Sequence, residues 1–244
     1  MSSDDTWKSI KDRVKGLDDE TKKQIRKISR IVHQVLARRK SDRVPEGLEL
    51  IELATLFFTG YGGLFLKALK LGKFTARELS IFSHIPIPMV RKWIFIGIDL
   101  GIIRETIDAR GIRYFSINRA DIGIVGSKLI TILQRITGTR EFSLGEPFKN
   151  FDEAVRFVGD FLSLFTMIGE KIKDVFIRET IDLEEGYNVV SSQLIFKRWL
   201  EKAKSYKIVI EVGNKCLINK QGISEMLGKL WSFFKMFETN ENVA

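Results

Sequence analysis

The side chains with the clearest chemical capability in this sequence are its lysines and arginines. They number 40 against 31 aspartates and glutamates, which gives a formal net charge of +9. Residues 1–140 hold 26 of the basic residues against 15 acidic ones, whereas residues 141–244 hold 14 against 16. Because ammonium and guanidinium groups bind phosphate oxygens, this asymmetry favours contact between the first part of the chain and a polyanion. A well-solvated basic protein, of the kind found in heat-loving organisms, is the alternative.

The strongest basic cluster lies in residues 22–43, where nine basic side chains are accompanied by a single acidic one, Asp42. Apolar residues at 3-4-3 spacing before and within this segment predict short amphipathic helices over residues 1–45. The side chains that we expect to contact phosphates are Lys22, Lys23, Arg26, Lys27 and Arg30. The alternative is that they form the solvated face of a helix that packs or dimerises.

Catalytic side chains are scarce. The chain has two histidines and one cysteine, and it contains no HExxH, GxSxG or phosphate-loop motif. We therefore expect a protein that is not an enzyme and that needs no metal or cofactor. Its first residues, MSSDDTWKSI, are not typical of a signal peptide, and its longest uncharged run, Leu53 to Leu66, is shorter than the ~20 residues of a membrane span. The lone Cys216 favours a reducing compartment, so we expect a cytoplasmic, nucleoid-associated protein with no membrane partner.

The local signals of secondary structure are clearest between residues 48 and 118. Two apolar helices, over about residues 48–58 and 64–71, flank the glycine-rich hinge TGYGG. Thr75 and Glu78 have the spacing of a capping box, which predicts a helix from about Ala76 to Ser83. Two prolines separate it from a further helix that ends near Asp99. Alternating runs at 103–107 and 112–117, around the turn DARG, then predict a β-hairpin.

This order of helix, short helix, tight turn, helix and hairpin resembles the winged helix-turn-helix family of DNA-binding domains. The resemblance covers residues 62–120: the second helix is Thr75 to Ser83, the third is Pro86 to Leu100, and the wing is Arg104 to Asn118. Around the wing turn, Asp108, Arg110 and Arg113 look like the wing of MarR-type regulators. That likeness implies an acidic residue that steadies an arginine aimed at the minor groove.

The resemblance assigns a role to basic residues on each element. A third helix in the major groove would read base edges and phosphates, the start of the second helix would lie near the DNA backbone, and the wing would grip the minor groove. The residues implied are Thr75, Arg77, Arg91, Lys92, Arg104, Arg110 and Arg113. The third helix is predicted to bury Val90, Trp93, Ile94 and Gly97. Because it also carries Phe95, Ile96 and Ile98, a helix that faces protein instead of DNA is the alternative.

Two sequence repeats connect the halves of the chain. The hexapeptide IRETID occurs at 103–108 and again at 177–182, and the second copy also precedes a glycine turn, which predicts a second hairpin. Glu184 and Glu185 follow it where the first copy is followed by arginine, so we do not expect this hairpin to face DNA. A second echo relates VRKWI at 90–94 to FKRWL at 196–200. It predicts either a shortened winged-helix-like unit at about 191–220, with Lys197, Arg198, Lys202 and Lys204 as its basic face, or an α+β domain that reuses hairpins.

The sequence therefore predicts a mainly α protein with small β hairpins, in the α+β class. We expect basic helices over 1–45, a winged helix-turn-helix domain over 46–137, and an α+β interaction or oligomerisation domain over 148–244, with a second, degenerate winged helix there as an open alternative. The expected function is double-stranded DNA binding, as a transcriptional regulator of archaeal or viral type that forms a homodimer or binds a protein partner through its C-terminal domain. The alternatives are a winged-helix interaction module in replication, segregation or transcription machinery, and a nucleic-acid coating protein or RNA binder.

Overall fold

The fold was analysed in a computed structural model that describes residues 45–143, 145–146, 148–167, 175–176, 180–182, 193–213 and 215–238. The chain divides into two compact units, Met1–Arg43 and Val44–Ala244. The predicted N-terminal helices lie outside the described residues, and so do Lys22, Lys23, Arg26, Lys27 and Arg30. All the described residues lie in the second unit.

The first lobe, residues 48–137, contains five helices and a small sheet. In chain order its elements are α1 (Leu48–Thr59), α2 (Leu64–Leu71), β1 (Lys73–Phe74), α3 (Ala76–Ser83), α4 (Ile87–Asp99), β2 (Ile103–Ile107), β3 (Arg113–Ile117) and α5 (Arg119–Thr137). The three strands form an antiparallel sheet in the order β1-β3-β2. In its register, Lys73 and Arg104 both lie opposite Ser116. The axes of α1 and α2 bend by 65° at the glycine-rich hinge.

The second lobe, residues 151–238, repeats this order in its described parts. Its elements are α6 (Phe151–Met167), β4 (Thr180–Asp182), α7 (Gln193–Ser205), β5 (Val209–Val212), β6 (Lys215–Ile218) and α8 (Lys220–Glu238). Its sheet is antiparallel with the order β4-β6-β5. In each lobe the first strand, β1 or β4, therefore lies at one edge of the sheet, and the last strand, β3 or β6, lies in the centre.

The two lobes share one hydrophobic core, because α1 packs against α6 and α5 packs against α8. A Cβ atom on Gly159 of α6 would lie 1.8 Å from Thr59 Cγ2, so the glycine allows α6 and α1 to approach closely. Near this crossing, aromatic rings from both lobes meet edge to face. The ring centroids of Phe58 and Phe233 are 5.7 Å apart, and those of Phe58 and Phe234 are 5.9 Å apart. The helices of both lobes are thus fixed by common contacts.

Most of the predicted local structure is confirmed. The protein is mainly helical with small antiparallel sheets, α3 begins with the predicted capping box, and the β2–β3 hairpin follows α4. Helix α5 begins at Arg119, and α8 begins at Lys220. Asparagine precedes each of these helices, and the first turn after it carries polar residues that apolar periodicity does not register.

The two IRETID copies lie at different places in their sheets. The first copy supplies β2, the outer strand of the first sheet. In the second copy, Thr180–Asp182 forms β4, which pairs with β6 at the place that β1 takes in the first lobe. Identical residues thus occupy different positions, because a strand-forming stretch pairs with whatever edge the surrounding fold offers. The predicted turn at Gly186 lies outside the described residues.

Among the described residues, no single helix has the length and apolar composition to cross a membrane. Two bent helix pairs, α1 with α2 and α3 with α4, meet these criteria only when each pair is taken together.

A polar cluster holds α7 against α6. The Lys202 ammonium donates to Asp160 Oδ1 at 2.7 Å and to Ser163 Oγ at 2.9 Å, and the Tyr206 hydroxyl donates to Asp160 Oδ2 at 3.4 Å. Burial, together with the charge of Asp160, raises the pKa of Tyr206 to about 12. The native state therefore holds this phenol protonated at a pH where the unfolded chain ionises it.

We expect Tyr206→Phe to reduce the loss of stability at alkaline pH. A group whose pKa is raised by folding contributes stability below its unfolded pKa, near 10, and loses that contribution as the pH rises towards 12. The free energy of unfolding, measured with denaturant at pH 8 and again at about pH 11.5, should therefore fall less for the variant than for the unaltered protein. An equal fall in both proteins would contradict the assignment.

The helix crossing at Gly159 is testable by a double-mutant cycle. Gly159→Ala should lower the free energy of unfolding by about 1–2 kcal/mol, because the overlap with Thr59 outweighs the helix propensity that alanine adds. Thr59→Ala, which removes Cγ2 and Oγ1 but leaves Cβ 2.6 Å from the added carbon, should recover part of this loss in the double variant. Strictly additive effects in chemical denaturation would show that the two residues are not in contact.

Candidate nucleic-acid interface

Helix α4 is held in place by a buried tryptophan. The Trp93 indole N–H donates to the Phe57 backbone oxygen at 2.8 Å, and its ring stacks on the Phe57 ring with centroids 4.9 Å apart and planes 4° from parallel. One turn later, a Cβ atom on Gly97 would lie 2.5 Å from the Ile103 side chain and 2.7 Å from Phe57. Because one face of α4 is locked against α1 and β2, its opposite face has a defined direction.

The predicted inner stripe of α4 is confirmed: Val90, Trp93, Ile94 and Gly97 are all buried. Ile96 is buried as well, so part of the apolar surface that favoured a protein-facing helix belongs to the core. Arg91 is exposed and Lys92 is half-buried. No ion pair between described residues involves either of them. The outward face of α4 therefore presents two adjacent basic groups that are not committed to carboxylates.

The connection between α3 and α4 sets a bend of 118° between their axes. His84 ends α3 with a left-handed backbone, φ 57°, and Pro86 then precedes the first turn of α4. The loop is held by the Ser80 hydroxyl, which donates to the Ile85 backbone oxygen at 2.6 Å, and by the Lys67 ammonium, which donates to the Ser83 backbone oxygen at 3.1 Å. These two hydrogen bonds hold the turn between α3 and α4 in place.

At the start of α3, the capping box occupies the polar groups that we expected to face DNA. The Thr75 N–H donates to Glu78 Oε2 at 2.7 Å, and the Glu78 N–H donates to Thr75 Oγ1 at 3.1 Å. The Glu78 carboxylate therefore already sits where a phosphate would meet the Thr75 N–H. Thr75 acts as a helix cap, while the side chain of Arg77 is exposed.

The tip of the β2–β3 hairpin is shaped by Asp108. Its Oδ1 accepts hydrogen bonds from the backbone N–H groups of Arg110, at 2.9 Å, and Ile112, at 2.8 Å. Gly111 completes the turn with φ 77°, a conformation that glycine adopts without strain. The Arg110 side chain is exposed on this ordered turn. Asp108 therefore positions Arg110 through the backbone instead of by pairing with a guanidinium.

Two other arginines of the hairpin are paired with carboxylates. Arg113 lies 3.2 Å from Glu105, so Glu105 is the carboxylate paired with this arginine, while Asp108 holds the turn that carries Arg110. Arg104 lies 3.1 Å from Asp121 at the start of α5. Both guanidinium groups remain largely exposed, at 65% for Arg104 and 68% for Arg113. Such exposed pairs contribute little stability, so either arginine can exchange its carboxylate for a phosphate.

The strand register assigns the hairpin arginines to opposite faces of the sheet. Arg113 and Glu105 lie on the same face as the buried Phe115 but are themselves exposed, whereas Arg104 lies on the outer face. Lys73, opposite Ser116, shares that outer face, and its ammonium lies 4.6 Å from the centroid of the Tyr114 ring. The sequence reasoning missed Lys73, because a strand of two residues carries no periodic signal.

The predicted residues of the first lobe thus come from three connected elements. Thr75 and Arg77 lie on α3, Arg91 and Lys92 lie on α4, and Arg104, Arg110 and Arg113 lie on the hairpin. Helix α3 packs against α4, and α4 packs against β2. The structure therefore joins these elements in one small substructure of the first lobe.

Comparison with models of protein families, with curated proteins and with solved structures found no match to this chain.

Trp93→Phe should destabilise the protein by about 1–3 kcal/mol, because the Phe57 carbonyl would be left buried without a donor. Equilibrium unfolding in denaturant would measure the effect. Trp231→Phe is the matched control, since Trp231 is half-buried, meets the Phe142 ring edge to face and lies beneath the Lys235 ammonium. Equal destabilisation by the two substitutions would show that the buried hydrogen bond is not what matters at Trp93.

Proposed function

We propose that this protein binds double-stranded DNA through a winged helix-turn-helix in its first lobe, and that it acts on the nucleoid in the cytoplasm as a transcriptional regulator of archaeal or viral type. The observation that carries the proposal is the placement of α4. One face of it is locked by Trp93, while Arg91 and Lys92 project from the other. The element order and the β1-β3-β2 sheet agree with the family that the sequence resembles.

In this proposal α4 enters the major groove, which is wide enough for a helix. Arg91 would donate to base edges or phosphates with its planar guanidinium, which suits guanine O6 and N7. Lys92, half-buried along its stem, would contact a phosphate. Arg77, at the exposed start of α3, would contact the DNA backbone beside them.

The hairpin would contact the neighbouring minor groove. Asp108 and Gly111 hold the turn that carries Arg110, so little conformational entropy is lost in placing the backbone of that arginine. Arg113 and Arg104, whose own side chains are largely exposed, would release their partly buried carboxylate partners on meeting phosphates. Because these contacts are mainly electrostatic, the observed affinity should fall steeply with salt.

The wing assignment is tested by Arg110→Ala/Arg113→Ala in the full chain. Duplex affinity, measured by gel shift or fluorescence anisotropy, should fall about tenfold or more, and the slope of log affinity against log salt should become shallower by about 1–2. The matched control is Lys202→Ala/Lys204→Ala, which removes the same charge from residues already paired with Asp160 and Glu211. Unchanged binding by the arginine variant would reject the wing.

A second candidate function is a protein-interaction module in replication, segregation or transcription machinery. It is favoured by apolar side chains exposed on the same elements: Ile81 and Phe82 on α3, at 65% and 47%, and Ile107 on β2, at 63%. Recovery of such a protein in a pull-down, together with weak and sequence-blind retention of genomic fragments, would favour this candidate. A footprint at defined sites would favour the regulator.

A partner contact, with a second copy or another protein, is proposed for the second lobe. The outer face of its sheet exposes Ile210, Val212 and Leu217, which is an uncommon composition for a solvated sheet face.

A further inference from the structure

Helix α7 of the second lobe is built like α4 of the first. The motif VRKWI lies in α4 and FKRWL lies in α7. In each motif the tryptophan is fully buried, and its neighbours in the core also correspond: Val90 to Phe196, Ile94 to Leu200 and Gly97 to Ala203. The two helices therefore turn the same face towards their respective cores.

The hydrogen bonds around the two helices correspond one by one. The Trp199 indole donates to the Leu164 backbone oxygen of α6 at 3.0 Å, as Trp93 does to Phe57 of α1 at 2.8 Å. Both tryptophans thus bond to a carbonyl in the last turn of the preceding long helix. The two lobes therefore share the hydrogen bond that holds α4 or α7 to the preceding helix, as well as the order of their elements.

The exit from each helix is also the same. The Ile102 N–H donates to the Gly97 oxygen at 2.8 Å, and the Ile208 N–H donates to the Ala203 oxygen at 2.9 Å. The asparagine that follows each hairpin then donates back to that isoleucine: Asn118 to Ile102 at 2.8 Å, and Asn219 to Ile208 at 2.7 Å. These matched bonds place α7 in the second lobe as α4 is placed in the first.

The outward residues correspond as well. Lys197 and Arg198 occupy the positions of Arg91 and Lys92, and both are exposed. No ion pair between described residues involves them, although two other basic residues of α7 are paired: Lys202 with Asp160 at 2.7 Å, and Lys204 with Glu211. The carboxylates of the second lobe thus neutralise the rest of the helix and leave this basic pair available.

The second hairpin differs from the first. Only two residues, neither of them basic, separate β5 from β6 in the sequence, so this hairpin has no counterpart of Arg110 at its tip. Its outer face carries Ile210 and Leu217 where the first sheet carries Arg104 and Ser116. The second hairpin keeps one exposed lysine, Lys215 at the start of β6, so contact between the second lobe and a polyanion is expected mainly from α7.

We infer that α7 is a second duplex-contacting helix, with Lys197 and Arg198 as its contacts, so that one chain brings two equivalent helices to DNA. The inference rests on the proposed function of the first lobe and extends it. The ligand chemistry is the phosphate backbone of duplex DNA, which a lysine and an arginine side by side would neutralise.

The test uses the full chain and a fluorescent duplex of about 30 base pairs, which is long enough for two contacts one helical turn apart. Affinity is measured from about 50 to about 200 mM salt. Lys197→Ala/Arg198→Ala should weaken binding about tenfold and make the log-log salt slope shallower by about 1–2, as should Arg91→Ala/Lys92→Ala. Lys128→Ala/Arg135→Ala, which removes two exposed basic groups from α5, is the charge-matched control.

The outcomes separate the two proposals. If Lys197→Ala/Arg198→Ala behaves like the control while Arg91→Ala/Lys92→Ala weakens binding, the inference about α7 is overturned and the proposed function stands. If neither variant differs from the control, both fail. The exchange Lys197→Arg/Arg198→Lys keeps the charge and should retain most of the affinity. A loss as large as that of the alanine variant would trace the effect to packing and would also overturn the inference.

Discussion

The constraint on which this structure depends is the buried end of a long helix. The last carbonyl groups of an α-helix have no partner within the helix, and burying them without a donor is costly. In the first lobe the end of α1 lies in the core, and the Trp93 indole supplies the donor that the Phe57 carbonyl lacks. In the second lobe the Trp199 indole likewise donates to the backbone oxygen of the buried Leu164 in α6. Since each tryptophan is rigidly attached to its own helix, satisfying the carbonyl also sets where α4 and α7 lie.

That constraint has a consequence for the opposite side of each helix. Once Val90, Trp93, Ile94 and Gly97 are committed to the core, Arg91 and Lys92 point away from it, because a helix turns about 100° per residue and neither position falls on that face. The same holds for Lys197 and Arg198 next to Trp199. A structural requirement inside the protein thus determines which basic groups a polyanion would meet outside. It also explains why the pairs stand at matching positions in both lobes.

The lobes differ most in their sheets. The first presents Lys73, Arg104 and Tyr114 on its outer face and carries Arg110 on a turn held by Asp108. The second presents Ile210 and Leu217 and has a shorter turn. The backbone plan is common to both, so the difference lies in side chains that the core does not constrain. Such positions are free to serve different partners, which accords with a basic first lobe and a near-neutral second one.

Much of this fold was predictable from the sequence alone, because interactions between residues close together in the chain determine its helices and turns. The capping box of Thr75 and Glu78, the prolines before α4 and the glycine of the hairpin act over three or four residues, and each produced the expected element. The inner stripe of α4 followed from helical periodicity. For the candidate site, the sequence predicted the elements and the exposure of Arg91, Arg77 and Arg110. It did not predict the carboxylates that pair with Arg104 and Arg113.

What only the tertiary structure decided were the pairings between distant segments. IRETID forms the outer strand of one sheet and the opposite edge of the other, because hydrogen-bond partners are selected by the fold and not by the six residues themselves. Glu105 pairs with Arg113 because the register of β2 and β3 brings them together, whereas the Asp108 carboxylate accepts backbone hydrogen bonds within the turn. The five-residue echo around the two tryptophans marks the real correspondence, since those side chains must solve the same burial problem in each lobe.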